Sequence, residues 1–226
     1  MGSYLFANQY QNEVIPDEER RFKADWLRYY HSVPNNVYRF AFIDPAIGQK
    51  NSNDFTGIVV VAVAPDTTWY IEVAERLRLT PTQIIDRVFR IQEQFRCMGI
   101  GVESVAYQEA LLYFIDEESK RRQKNVPVKG INQMGVRKET RILSLVPRFE
   151  NGRILLKQGM SHFEDELMNF PRGAHDDIID ACASLEEIVF YPEHEKVRPI
   201  EKPNSPHDPN YERWVIQNYG KRQQEE

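Results

Sequence analysis

The stretch Phe40–Val61, FAFIDPAIGQKNSNDFTGIVVV, decides how the chain is read. Two apolar runs flank a polar turn, and the first run ends on Asp44. NSNDFTG is turn chemistry, and the β-branched run after it reads as a strand. An ionised carboxylate at the end of a buried strand is costly unless something pairs with it. Asp44 therefore needs a compensating group.

Working outward, YRFAFIDPA, TGIVVVAVAP and WYIEVAERLR are three strands, the last two joined by the tight turn DTT. They should form an antiparallel meander. TPTQIIDRVFRIQEQFRCMG follows as a helix, with Thr80 as its cap, Pro81 at its first position and an apolar stripe of Ile84, Ile85, Val88 and Ile91. IGVES, VPVKGIN and RILLK are short strands. AYQEALLYFIDEESKRRQK, RKETRILSLVPRFENG (with a break before Pro147), SHFEDELMNFP and HDDIIDACASLEEIVFY are helices. Strand–helix–strand connections imply parallel pairing beside the meander. The expected class is α/β: a mixed, roughly five-stranded sheet, antiparallel meander plus parallel strands, flanked by helices on both faces. That is the architecture of the ribonuclease H-like fold, placed here at residues 37–191. Residues 1–36 are polar and irregular, with a helical candidate over Asp17–Tyr30 whose aromatics pack on the domain surface. Residues 192–226, rich in Pro, Asn, His and charge, read as a flexible tail.

Composition fits this reading. Of 226 residues, 41% are apolar and 28% charged, as in an ordinary soluble globular protein. No run is long or apolar enough to span a membrane, and the start lacks the pattern of a signal peptide. Cys97 and Cys182 show no metal-ligand spacing and read as reduced core thiols of a cytosolic protein. The net charge of −5 argues against holding nucleic acid by charge alone. It leaves room for local basic patches and bound cations.

Three acids occupy unusual positions. Asp44 ends the first strand, Glu103 ends IGVES's strand, and a third acid opens the last helix in HDDIIDA. Strand ends of an open α/β sheet lie near the crevice where ligands bind. If those two strands are neighbours, Asp44 and Glu103 repel each other unless one is protonated or a cation lies between them. Hard oxygen donors suit Mg²⁺ or Mn²⁺. On the last helix, about 100° per residue gives a buried stripe of Ile178, Cys182, Leu185 and Val189, with Asp177 at its edge. Asp176, Asp180 and Glu187 fall further round, toward solvent. Asp177 is thus the expected third ligand. Asp176 serves the helix dipole or touches a second ion, and His175 assists or caps. Two such ions clamp the attacking and leaving oxygens of a phosphodiester. Arg137, Lys138 and Arg141 of RKETR are the candidate DNA contacts; KRRQK is a second basic cluster or a solvated helix face. No Gly-rich phosphate loop is present.

At these residues the chain resembles the nuclease domain of the large terminase subunit of tailed bacteriophages, from about Phe6 to Val189. FANQYQNEVIPDEERRFKADWLRYY resembles the segment joining the family's motor to its nuclease. FAFIDPAIGQKNSNDFTGIVVV, VESVAYQ and HDDIIDA resemble its three acidic motifs. The resemblance implies a metal-dependent endonuclease that cuts concatemeric double-stranded viral DNA at the start and end of packaging, in the cytoplasm of an infected bacterium. It implies a small terminase subunit and a portal or procapsid as partners, and an N-terminal ATPase that this chain lacks. The isolated domain is expected to be a monomer. Two alternatives stand beside it. One is another ribonuclease H-like nuclease of the resolvase or transposase type. The other is a non-catalytic DNA- or portal-docking module whose acids only cap helices.

Overall fold

The two runs of the opening stretch pair with each other, Tyr38 against Val63 through Asp44 against Gly57, antiparallel and without interruption. They lie at the centre of one sheet in a computed structural model that describes residues 20–45, 55–103, 108–133 and 135–190. The strands are β1 (Arg28–Tyr29), β2 (Tyr38–Asp44), β3 (Thr56–Val63), β4 (Trp69–Leu77), β5 (Gly99–Glu103), β6 (Val128–Ile131) and β7 (Ile154–Leu156). Their order across the sheet is β1-β7-β4-β3-β2-β5-β6. β2, β3 and β4 form the expected antiparallel meander, and β5, β6, β7 and β1 join it by parallel pairing. The sheet has seven strands rather than about five. β7 adds to the edge beside β4, and two-residue β1 extends it; so short a strand carries no readable pattern.

The helices are α1 (Pro81–Phe95), α2 (Gln108–Arg122), α3 (Lys138–Leu143), α4 (Val146–Glu150), α5 (Ser161–Asn169) and α6 (Asp177–Ser184). α1 begins where the sequence places it. Thr80 and Gln83 form a reciprocal capping box, Pro81 starts the helix, and Arg96 ends it in the left-handed region. The helix expected over RKETRILSLVPRFENG is two short helices, with Pro147 in the first turn of α4, where its missing N–H costs nothing.

β-alternation sorts the core into two layers. Ala41, Ile43, Ile58, Val60, Ile100 and Val102 face α1 and α2. Phe40, Phe42, Val59, Val61, Trp69 and Ile71 face the side that carries α5 and α6. Both cysteines are free and buried, and burial pushes both thiols up.

The helical candidate over Asp17–Tyr30 is corrected. From Arg20 onward the segment holds one 3₁₀ turn, Ala24–Trp26, and then β1. Phe22 is fully buried and meets Phe149 and Phe170 edge-on at 5.4 and 6.2 Å. The aromatic spacing that imitated a helix serves to insert a ring into the core, and tertiary packing overrides local propensity. The readings of residues 1–19 and 192–226 fall outside the described residues.

Candidate active site

Strand register builds a polar row across one end of the sheet. Asp44 pairs with Gly57, and Gly57 pairs with Arg76. On the other side Ile43 pairs with Val102, so Asp44 and Glu103 end adjoining parallel strands. Alternation from Phe40 and Phe42 puts Asp44 on the face that carries α6. Gly57 is what lets α6 lie flat there. A Cβ at this position would stand 2.3 Å from the backbone oxygen of Asp177 and 3.3 Å from the Ala181 Cβ. Only glycine permits that approach.

The two strand-end acids meet as expected. A hydrogen bond joins the carboxyl groups of Asp44 and Glu103, and Asp44 is raised well above the usual carboxylate range. Burial is the main cause, followed by that bond and by repulsion from Glu103 and Asp180; Lys138 acts the other way.

The helix contributes differently from the angular reading. Asp180 is only 4% exposed and faces the centre, not solvent. A wheel drawn for α6 alone omits α3, which covers that side. Arg141 donates to Asp180 Oδ1 from Nη2 at 2.7 Å and from Nε at 3.1 Å. Lys138 Nζ lies 2.7 Å from Asp176 Oδ1 and 3.4 Å from Asp180 Oδ2. Burial works against the Lys138 charge, but its bond to Asp176 and the fields of Asp180, Asp176 and Asp44 outweigh that and raise its pKa. Burial also raises Asp177 and Asp180, with Lys138 opposing both. Asp177 Oδ2 lies 3.7 Å from His175 Nδ1.

Asp176 occupies the N-cap position of α6 yet makes no side-chain capping bond. That work falls to Glu166 of α5, which sequence reasoning passed over. Its Oε2 accepts from the N–H groups of Ile178 and Ile179 at 2.8 and 3.0 Å, and its Oε1 accepts from Arg76 Nη1 at 3.1 Å. Glu166 is buried, and burial outweighs these bonds to push it up to about 7. A buried acid in SHFEDELMN was the available signal: its position falls among the apolar residues Phe163, Leu167 and Met168.

Of the basic residues named from sequence, Arg137 is exposed, while Lys138 and Arg141 turn inward onto the acids. Among the described residues, no three carboxylate, imidazole or thiolate groups stand close enough to hold a metal ion. Lys138 and Arg141 supply the positive charge at this centre. The donor set is still all oxygen, and the Asp44–Glu103 pair already shares a hydrogen bond that a divalent ion would replace.

Comparisons with known proteins find the same fold. The domain of the human cytomegalovirus terminase nuclease is similar in structure at 18% identity, with a TM-score of 0.58 over 78% of this chain and 96% of that one. The large terminase nuclease of the thermophilic phage G20c, solved with bound zinc, is similar at 18% identity, with a TM-score of 0.51 over 74% and 96%. The large terminase of bacteriophage HK97 is similar at 10% identity, with a TM-score of 0.51 over 73% of this chain and 42% of that one. At these identities the likeness speaks for the fold. A comparison with curated protein sequences gives no match. The model of the terminase RNaseH-like domain family matches residues 41–185, from the strand that carries Asp44 through the helix that carries Asp177 and Asp180, and the chain belongs to that family.

Proposed function

We propose that the chain is the metal-dependent endonuclease domain of a viral large terminase subunit, cutting concatemeric double-stranded DNA during genome packaging. One observation carries the reading: Asp44 and Glu103 end adjoining strands with their carboxyl groups in contact, beneath the helix that brings Asp177 and Asp180. Asp44 and Glu103 would hold one or two Mg²⁺ or Mn²⁺ ions together with an acid of α6. Asp177 and Asp180 are spaced i, i+3 and so share one side of the helix. Asp177 is the reading from sequence; the field of Asp180 at Asp44 makes Asp180 its equal. Asp176 has the lesser share. When bound, the ions supply an activated water and stabilise the leaving 3′ oxygen. The residues themselves orient the ions, exclude bulk water at a half-buried strand end, and keep α6 fixed through Gly57 and Glu166. Exposed Arg137 is the proposed DNA contact on the α3 side.

A cytomegalovirus terminase nuclease domain studied after a manganese soak supports the choice of divalent ions. The chain spans less than half the length of the HK97 large terminase, and an N-terminal ATPase motor is part of the proposal. A small terminase subunit, a portal or procapsid, and the cytoplasm of an infected bacterium belong to the same proposal. No described helix is long and apolar enough to cross a membrane.

The test is supercoiled-plasmid cleavage with EDTA, Mg²⁺ or Mn²⁺. Wild-type protein should cut only with metal, and Asp44→Ala, Glu103→Ala and the pair Asp177→Ala with Asp180→Ala should not cut while keeping their circular dichroism. One observation favours a second reading, a non-catalytic docking module: Lys138 and Arg141 already neutralise the acids of α6. That reading requires no cutting with any metal and no binding of Mn²⁺ by calorimetry.

A further inference from the structure

The basic clusters legible in the sequence are largely spent on protein acids. On α2, Lys120 and Arg121 pair with acids of their own helix, and Arg122 pairs with Glu118 and with Asp86 of α1. On α3, Lys138 and Arg141 pair with α6. Arg78 differs. It is exposed, its guanidinium carbon lies 4.6 Å from the centre of the Phe55 ring, and among the described residues it has no ion pair.

Its position follows from a bulge. Pairing of β3 with β4 steps from Val61–Ile71 to Val60–Val73, so Glu72 is an extra residue on β4. A bulge reverses which side chains meet which face beyond it. Trp69 and Ile71 face the α6 side before it; after it Val73, Leu77 and Leu79 face α1, which turns Arg76 and Arg78 to the acid side. Arg76 stands in the polar row, two strands from Asp44. At about 4.8 Å per strand and 3.3 Å per residue, Arg78 lies on the order of 12 Å from Asp44. DNA rises about 3.4 Å per nucleotide along a strand, so this distance spans roughly three to four nucleotides.

The surroundings prepare the side chain for an anion. A guanidinium stacked on a ring has lost rotamer freedom but keeps its N–H edge free, the geometry suited to phosphate. Arg76 contacts the same ring at 5.5 Å, and His175, beside Asp177, meets it edge-on at 5.1 Å. Arg76 is committed to Glu166, which leaves Arg78 as the donor turned to solvent.

We propose that Arg78, held flat on Phe55, contacts a backbone phosphate of the nucleic acid on the β4 side of the acid row, opposite the side taken by Arg137. The inference rests on the reading of the chain as a DNA nuclease. The experiment is fluorescence anisotropy of a labelled duplex with the full 226-residue chain in EDTA, over a series of salt concentrations. Arg78→Ala should bind about three- to tenfold more weakly, with a slope of log affinity against log salt smaller by roughly 0.9, the loss of one phosphate contact. Phe55→Leu, which keeps the charge and removes the stack, should give a smaller loss. Arg90→Ala, on the exposed side of α1, should match wild type. An unchanged slope in Arg78→Ala, or an equal loss in Arg90→Ala, overturns the phosphate contact. A wild-type chain with no salt-dependent binding to duplex overturns the nuclease reading, and the contact with it.

Discussion

The two faces of the sheet are built to different ends. The face under α1 and α2 is apolar at its centre: Ile43, Ile58, Val60, Ile100 and Val102 pack with Ile84, Val88 and Ile91, and the charged pairs Arg39–Glu72 and Glu75–Arg87 are part-exposed. The face under α5 and α6 begins the same way, with Phe40, Phe42, Val59 and Val61, but ends in the row Arg76, Gly57, Asp44 and Glu103. Burying a carboxylate or removing a side chain weakens a core. The first face therefore stabilises the sheet, and the second spends stability on holding acids at a fixed place. Variants on the two faces should separate stability from activity.

The largest effect is expected at Asp44. Asp44→Asn should abolish cleavage yet melt at a temperature no lower than wild type in EDTA, because it removes a carboxyl held in unfavourable surroundings. The sign follows from its raised pKa. The folded chain keeps a proton that the unfolded chain releases at lower pH, so metal-free stability falls as pH rises from the ordinary aspartate value, about 3.9, through the raised one. That fall should be shallower in Asp44→Asn when melting temperature is followed against pH. Parallel profiles for the two proteins would remove the buried carboxyl from the centre.

Gly57→Ala comes next. Its methyl group would press on the backbone of Asp177, so α6 must shift away from the sheet. A displacement of about 1 Å at a catalytic group can cost about 10²-fold in rate, and a loss of that order is expected in the plasmid assay with the fold retained. Full activity would mean that the position of α6 is not critical. On the apolar face the result should invert. Ile100→Ala leaves a cavity among fully buried neighbours and should cost about 2–5 kcal/mol by chemical denaturation, while cleavage per folded molecule, measured well below the melting point, is unchanged.

The same division explains what the sequence disclosed. The meander, the α1 cap and the apolar stripe of Ile84, Val88 and Ile91 on α1 are local patterns of alternation, capping and helical spacing, and all are present as read. Asp44 and Glu103 were legible because strand ends and parallel pairing place them side by side. Asp180 was not, because an angular reading of α6 contains no information about α3. Gly57, Glu166 and Arg78 act through contacts distant in sequence: a helix laid over a strand, a side chain capping another helix, and a bulge that re-aims β4. Phe22 shows the converse, a helical spacing of aromatics with no helix beneath it.

The smallest effect bears on how the second face tolerates its acids. Lys138 lies within reach of Asp176 and Asp180 and is felt at Asp44, so it carries charge where a divalent ion would carry it. An ion entering between Asp44 and Glu103 meets that ammonium as a repulsion. Because Lys138 is 41% exposed, solvent screens the repulsion to about 1 kcal/mol, which is roughly a fivefold change in affinity. Lys138→Gln should therefore bind Mn²⁺ roughly fivefold more tightly by calorimetry, and should be less stable than wild type in EDTA because its acids lose a counter-ion. Tighter binding with lower metal-free stability would identify the lysine as the group that compensates the acids until a metal arrives. Weaker binding would mean that Lys138 orients Asp176 or Asp180 for the ion, and that the second face is held ready for metal by its own bases.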